Sequence, residues 1–187
     1  MRASRLSFAV AALLLGGFAT GAGAAPSAAP EAGIGPVTKL PLPRYASLKT
    51  DRVNLREGPS KDHRTLWVFQ RAGLPVEIVG EFETWRRIRD SEGTEGWVLH
   101  SLLSGRRTAI VNAGPDKGAE KAAVSLRARA DDSAEDEARL QTGVIGSVKS
   151  CTGTWCRLVV VLPNKRDVDG YIRQNRLWGV YPNEVVE

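Results

Sequence analysis

The chain repeats itself, and the repeat limits the folds open to it. Val53-Asn54-Leu55-Arg56 returns as Val124-Ser125-Leu126-Arg127 at an offset of 71. Trp85-Arg86-Arg87-Ile88 returns as Trp155-Cys156-Arg157-Leu158 at 70, and Gly96-Trp97-Val98 as Gly170-Tyr171-Ile172 at 74. Three motifs in the same order at a nearly constant offset predict a duplicated module of roughly 60–70 residues. A unit that small sits near the lower limit for a self-sufficient hydrophobic core.

From Tyr45 onward the apolar runs are short, as in Val76 to Val79, Trp97 to Leu99 and Leu158 to Leu162, and clusters of Gly, Pro and Asp separate them. Trp, Val, Ile, Leu and Thr fill these runs, which reads as strands with frequent turns and predicts a small all-β barrel or sandwich in each half. Asp132 to Gln141 has helix-like composition but too few apolar positions for a packed helix, so it reads as a long polar loop.

The motifs resemble those of bacterial SH3 domains. Val53-Asn54-Leu55-Arg56-Glu57-Gly58-Pro59-Ser60 is similar to the opening signature of that family, and Trp85-x-x-Ile88 and Gly96-Trp97-Val98 fall at its middle and last strands. The first match covers most of Tyr45 to Leu103. The second, Ala122 to Trp178, is looser, because Arg127-Ala128-Arg129-Ala130-Asp131 lacks the Gly-Pro. The resemblance implies two tandem SH3-like five-stranded β-barrels, residues 44–108 and 109–187, of the kind exported by Gram-negative bacteria. Closing each sheet hides its edges, which suits so short a module.

The N-terminus reads as an address. Residues 1–24 have the pattern of a signal peptide: Arg2 and Arg5, an apolar run of 12 residues from Phe8 to Ala19, and a small-x-small site at Ala22-Gly23-Ala24. A helix of that length rises only about 18 Å, short of a bilayer core of about 30 Å, which argues for cleavage over a retained anchor. The expected product is periplasmic or secreted, with no transmembrane segment left after cleavage. No Cys lies near the site for a lipid anchor. Residues 25–43, rich in Ala, Pro and Gly, read as a flexible or extended linker.

Cleavage also weakens any electrostatic argument for a nucleic-acid partner. The whole chain carries a net charge of +5, and losing Arg2 and Arg5 with no acid leaves +3 over 163 residues. That bias is mild, and an exported protein meets little nucleic acid, so none is expected as partner.

Cys151 and Cys156, the chain's two cysteines, flank a four-residue loop. A metal site would need two more ligands, and His63 and His100 belong to the other half. A redox pair would call for C-x-x-C. A disulfide across a hairpin fits, since opposed strand residues lie about 4.5–5.5 Å apart, and export favours it. By the offset of 70, Glu81 and Arg86 hold the equivalent places in the first half and are predicted to face each other as an ion pair.

Strand alternation points to the binding candidates. Trp85 and Ile88 are three apart and face opposite ways, so Trp85 points outward if Ile88 fills the barrel; Trp155 and Leu158 behave alike. Each Trp then either contacts a ligand or packs under a loop or between the barrels. Trp67, in the alternating run Leu66 to Phe69, either belongs to the core or lines the same groove. Trp97 and Tyr171 read as structural, and Trp178 and Tyr181 as sealing the second barrel. Arg87 beside Trp85 and Arg157 beside Trp155 are suited to bidentate contacts with ligand carboxylates.

Proline-rich recognition is disfavoured. The last-strand Pro and Tyr that peptide-binding eukaryotic SH3 domains use correspond to Leu99 and Leu102 in the first half and to Arg173 and Arg176 in the second.

No nucleophile elbow, P-loop, H-E-x-x-H or Cys–His pair occurs, so an enzyme is not expected, and neither a metal nor another cofactor is implied. The resemblance implies non-catalytic binding of peptidoglycan peptide or another cell-wall component. A periplasmic scaffold that docks an envelope protein is the competing expectation.

Overall fold

The computed structural model describes residues 33–112, 123–162 and 166–187. The expected signal peptide, residues 1–24, lies outside the described residues, as does the first part of the expected linker.

Two β units follow one another. The first contains β1 (Gly33–Ile34), β2 (Pro41–Leu42), β3 (Arg44–Leu48), β4 (Val53–Arg56), β5 (Thr65–Phe69), β6 (Pro75–Phe82), β7 (Trp85–Arg89), β8 (Glu95–Leu99) and β9 (Leu103–Ser104). The second contains β10 (Thr108–Val111), β11 (Ala123–Arg127), β12 (Asp136–Gln141), β13 (Ile145–Thr152), β14 (Trp155–Val161), β15 (Asp167–Arg173), β16 (Leu177–Trp178) and β17 (Val185–Val186). Strand order is β5-β4-β8-β7-β6-β3-β9 in the first sheet and β12-β11-β15-β14-β13-β10-β16 in the second. The two orders superimpose strand for strand. Each path has seven strands, with the β4–β5 hairpin and its counterpart β11–β12 at one end, and β17 adds to the second sheet by pairing with β13.

Alternation explains the cores. Val53 and Leu55 on β4, Val76 and Ile78 on β6, Ile88 on β7 and Val98 on β8 bury one side of the first sheet. Leu126, Val148, Leu158, Val160 and Ile172 do the same in the second. The glycines of the Gly-Trp-Val and Gly-Tyr-Ile motifs have one cause. A Cβ on Gly96 would lie 2.8 Å from the Arg56 carbonyl oxygen, and one on Gly170 the same distance from that of Arg127. Each glycine admits the close crossing of β8 under β4, or of β15 under β11.

Two sequence expectations need correction. The polar stretch ending at Gln141 is a strand over Asp136–Gln141, paired with β11 through Val124↔Leu140 and Leu126↔Ala138. It is an edge strand, and Leu140 alone is fully buried, so its apolar signal is thin. Residues 33–43 are a folded hairpin rather than linker: β1 pairs with β2, and the turn between them clasps Glu81. Glu81 accepts hydrogen bonds from the Val37 and Thr38 backbone N–H groups at 3.0 and 2.8 Å and from Arg44 at 2.8 Å. Burial opposes ionisation of this carboxyl, but the hydrogen bonds from Thr38, Arg44 and Val37 outweigh it and hold Glu81 down at about 2.

The expected turn equivalence is present. Glu81 lies opposite Arg86 and Cys151 opposite Cys156 in the two ladders. Cys151 and Cys156 form a disulfide with Cα atoms 4.1 Å apart, and the Arg86 Nε lies 3.6 Å from the Glu81 carboxylate.

Trp178 belongs to β16 at the end of the second sheet, and both Trp178 and Tyr181 also reach the first barrel. The Tyr45 ring lies 5.2 Å from Trp178 and 4.6 Å from Tyr181, centroid to centroid. The Tyr181 hydroxyl donates to Glu77 at 3.0 Å, and Arg107 pairs with Glu184 at 2.8 Å. Burial and the Glu77 charge push the Tyr45 phenol up to about 12 and raise that of Tyr181 as well.

Candidate functional site

Trp85 opens β7 and leaves the core face to Ile88, as alternation requires. It points off the core, outside the cluster that holds Ile88, yet is only 7 % exposed because its own barrel covers most of it. It is the inner wall of a groove of about 270 Å³. Leu99, paired with Trp85 across the β7–β8 ladder, and Leu102, on the 3-10 turn His100–Leu102, complete the apolar surface. Asn54 and Arg56 reach it from the outer face of β4, with Arg52 just before that strand and Lys61 from the following loop. No acid lines this groove. Arg56 donates to the His63 carbonyl at 2.7 Å, and among the described residues Arg52 and Lys61 have no ion-pair partner. Three cations thus surround a strip of hydrocarbon, which suits an extended ligand bearing carboxylates beside apolar groups.

The equivalent place in the second barrel is closed. The pairing Trp155↔Arg173 repeats Trp85↔Leu99, so Arg173 takes the position of Leu99. Its guanidinium carbon lies 4.3 Å from the centroid of the Trp155 ring. The Glu57–Arg64 and Ala128–Glu135 loops are closed by the same backbone hydrogen bond, which puts Asp132 where the first barrel has Lys61. Asp132 forms an ion pair with Arg173 and holds it over the ring. Trp155 is as little exposed as Trp85; the difference is that the Arg173–Asp132 pair occupies the place where the first barrel has its groove.

The other candidates lie elsewhere. Arg87 pairs with Glu95 at 2.6 Å, and Arg157 makes a two-pronged pair with Asp169 at 2.9 and 2.6 Å. Both serve cross-strand ladders and leave no free guanidinium for a groove. Trp67 is 60 % exposed but lines a different groove, on the opposite face of the β4–β5 ladder. The cations that do surround Trp85 sit about thirty residues before it. Their signal was the alternation of Arg52, Asn54 and Arg56 against buried Val53 and Leu55.

The sequence matches the bacterial SH3 domain twice, over residues 49–105 and 120–179. The chain belongs to the bacterial SH3 domain family. No curated protein matches it. Among solved structures it is similar to NlpC2 from Trichomonas vaginalis, with 12% identity and a TM-score of 0.31 over 73% of this chain and 48% of that one. NlpC1 from the same organism gives 13% and 0.31 over 72% and 45%. An NlpC/P60 family protein from Bacillus cereus ATCC 10987 gives 12% and 0.30 over 72% and 55%. The chain spans about half the length of these solved chains. Tandem bacterial SH3 domains and a disulfide are compatible with an extracytoplasmic protein. No helix among the described residues is long and apolar enough to cross a membrane.

Proposed function

We propose that this protein is a non-catalytic binding protein of the bacterial envelope, exported by its N-terminal segment. In this reading its first SH3 domain holds a cell-wall peptide in the Trp85 groove. The observation that carries the reading is the asymmetry of the duplicated site. One copy is open, apolar-walled and ringed by Arg52, Arg56 and Lys61. The other is filled by Arg173 and Asp132. A peptide of the wall carries free carboxylates beside short aliphatic side chains, which matches the open copy. The groove offers cations, an amide and hydrocarbon. Such a set retains a ligand and supplies no nucleophile with a base beside it.

The second barrel supplies the test. Lys61→Asp with Leu99→Arg transplants its plug into the first groove and leaves buried Trp85 in place. Co-sedimentation with purified peptidoglycan sacculi should be strong for the parent chain, weaken with salt, and fall at least tenfold for the double variant. Undiminished binding by a folded double variant would refute the groove assignment.

A further inference from the structure

We propose that the first SH3 domain carries a second interaction surface, built on Leu66 and Trp67, that takes an extended basic and apolar segment of a partner protein. The duplication provides an internal control. Leu55↔Trp67 in the first barrel is matched by Leu126↔Ala138 in the second, and both ladders shift register just beyond this pair. The residue in the bulge is Leu66 in one barrel and Glu137 in the other. The same hairpin with the same bulge is thus built from Glu and Ala, so folding does not require Leu and Trp there. They are nonetheless exposed, Leu66 at 41 % and Trp67 at 60 %. Adjacent large apolar side chains left in water on an element that does not need them mark a contact surface.

The surroundings select the occupant. Leu66 and Trp67 line a groove of about 320 Å³ with Phe69 and Leu74 behind them and the turn bearing Asp90 and Glu92 opposite. The Asp90 carboxylate is fixed by the N–H groups of Glu92 and Thr94 at 2.9 and 2.8 Å. Glu92 has no ion-pair partner among the described residues, and no Lys or Arg lines the groove. The charge is opposite to that around Trp85, and the two grooves share no lining residue. β5 ends its sheet, pairing only with β4, so its outer edge can accept a strand. The fitting occupant is an extended polypeptide that pairs with β5, seats a large apolar side chain against Trp67, and places a Lys or Arg by Asp90 and Glu92. Such a surface leaves the Trp85 groove free, so one domain holds two ligands of opposite charge.

The test uses the full chain and a displayed library of random 12-residue peptides. Selection is made on the parent and counter-made on Leu66→Glu/Trp67→Ala, which carries the second barrel's residues and is expected to fold. The expected result is enrichment of sequences that join a large apolar residue to Lys or Arg. A selected peptide should bind the double variant at least tenfold more weakly, lose affinity on Glu92→Lys, and remain unaffected by Lys61→Asp/Leu99→Arg. Enrichment of acidic sequences, equal binding to both proteins, or no enrichment over the variant would overturn the proposal. So would a Trp67-dependent dimer in sedimentation velocity, which would assign the surface to a second copy.

Discussion

The clasp on Glu81 gives the sharpest energetic prediction. Its side chain is fully buried, and it joins the 33–43 hairpin, Arg44 and Arg86 at one point. The carboxyl is held at about 2 against an ordinary value of 4.5. A difference of that size corresponds to about 3 kcal/mol of stability in the ionised state. Because the folded value is depressed, the unfolded chain takes the proton first as pH falls. The contribution is complete above about pH 4.5 and disappears as pH drops through about 2. Glu81→Gln removes the charge but keeps the shape and leaves buried Arg86, still donating to the Glu83 and Trp85 carbonyls, without its counter-charge, a change that costs about 3 kcal/mol. Urea unfolding at pH 7 should show the variant less stable by about 3 kcal/mol, with the gap between parent and variant closing toward pH 2. Other carboxyls titrate in both proteins and cancel in that difference. A gap below about 1 kcal/mol at pH 7, or one that stays constant down to pH 2.5, would refute the reasoning.

Three further outcomes follow from the geometry. Replacing both Cys151 and Cys156 by Ala should lower stability by about 2 kcal/mol, read by thermal unfolding, since the closed loop is short. Gly96→Ala should destabilise by several kcal/mol, because its Cβ would press on the Arg56 carbonyl 2.8 Å away; a variant melting with the parent would contradict the crossing described. Arg173→Leu with Asp132→Lys should remove the plug and give the second barrel a groove beside Trp155 like that beside Trp85, raising the amount of protein that sediments with sacculi; unchanged sedimentation would show that the plug does not control access.

The duplicated fold was legible because alternation fixes which side of each strand is buried, and Val-x-Leu, Trp-x-x-Ile and Gly-aromatic motifs carry that alternation twice. The pairing of Cys151 with Cys156, and of Glu81 with Arg86, followed from the same register. The edge strand Asp136–Gln141 was hidden because only Ala138 and Leu140 turn toward the core, and its other residues are charged or polar. The hairpin at 33–43 was hidden because its reason to fold is a carboxylate about forty residues away, while its own Pro and Gly read as linker. Alternation placed Trp85 and Trp155 off the core correctly. It could not show that Leu99 and Leu102 on one side, and Arg173 on the other, would cover them. The groove's cations were missed for a related reason: they stand next to Trp85 in space but on β4 and the loop after it in sequence. The contacts of Trp178 and Tyr181 with Tyr45 and Glu77 were not legible, because a repeat treats each copy alone and says nothing of what joins them.

The central claim is that the open groove of the first domain holds a carboxylate-bearing wall peptide. Its most direct test is a titration of isotope-labelled protein with a soluble peptidoglycan stem peptide, followed by amide chemical shifts. The account predicts saturable shifts at Asn54, Arg56, Leu99 and Leu102, weakened by salt, with the amides around Trp155 unmoved. Shifts centred on Trp155 or Trp67, or no shifts at saturating peptide, would contradict it.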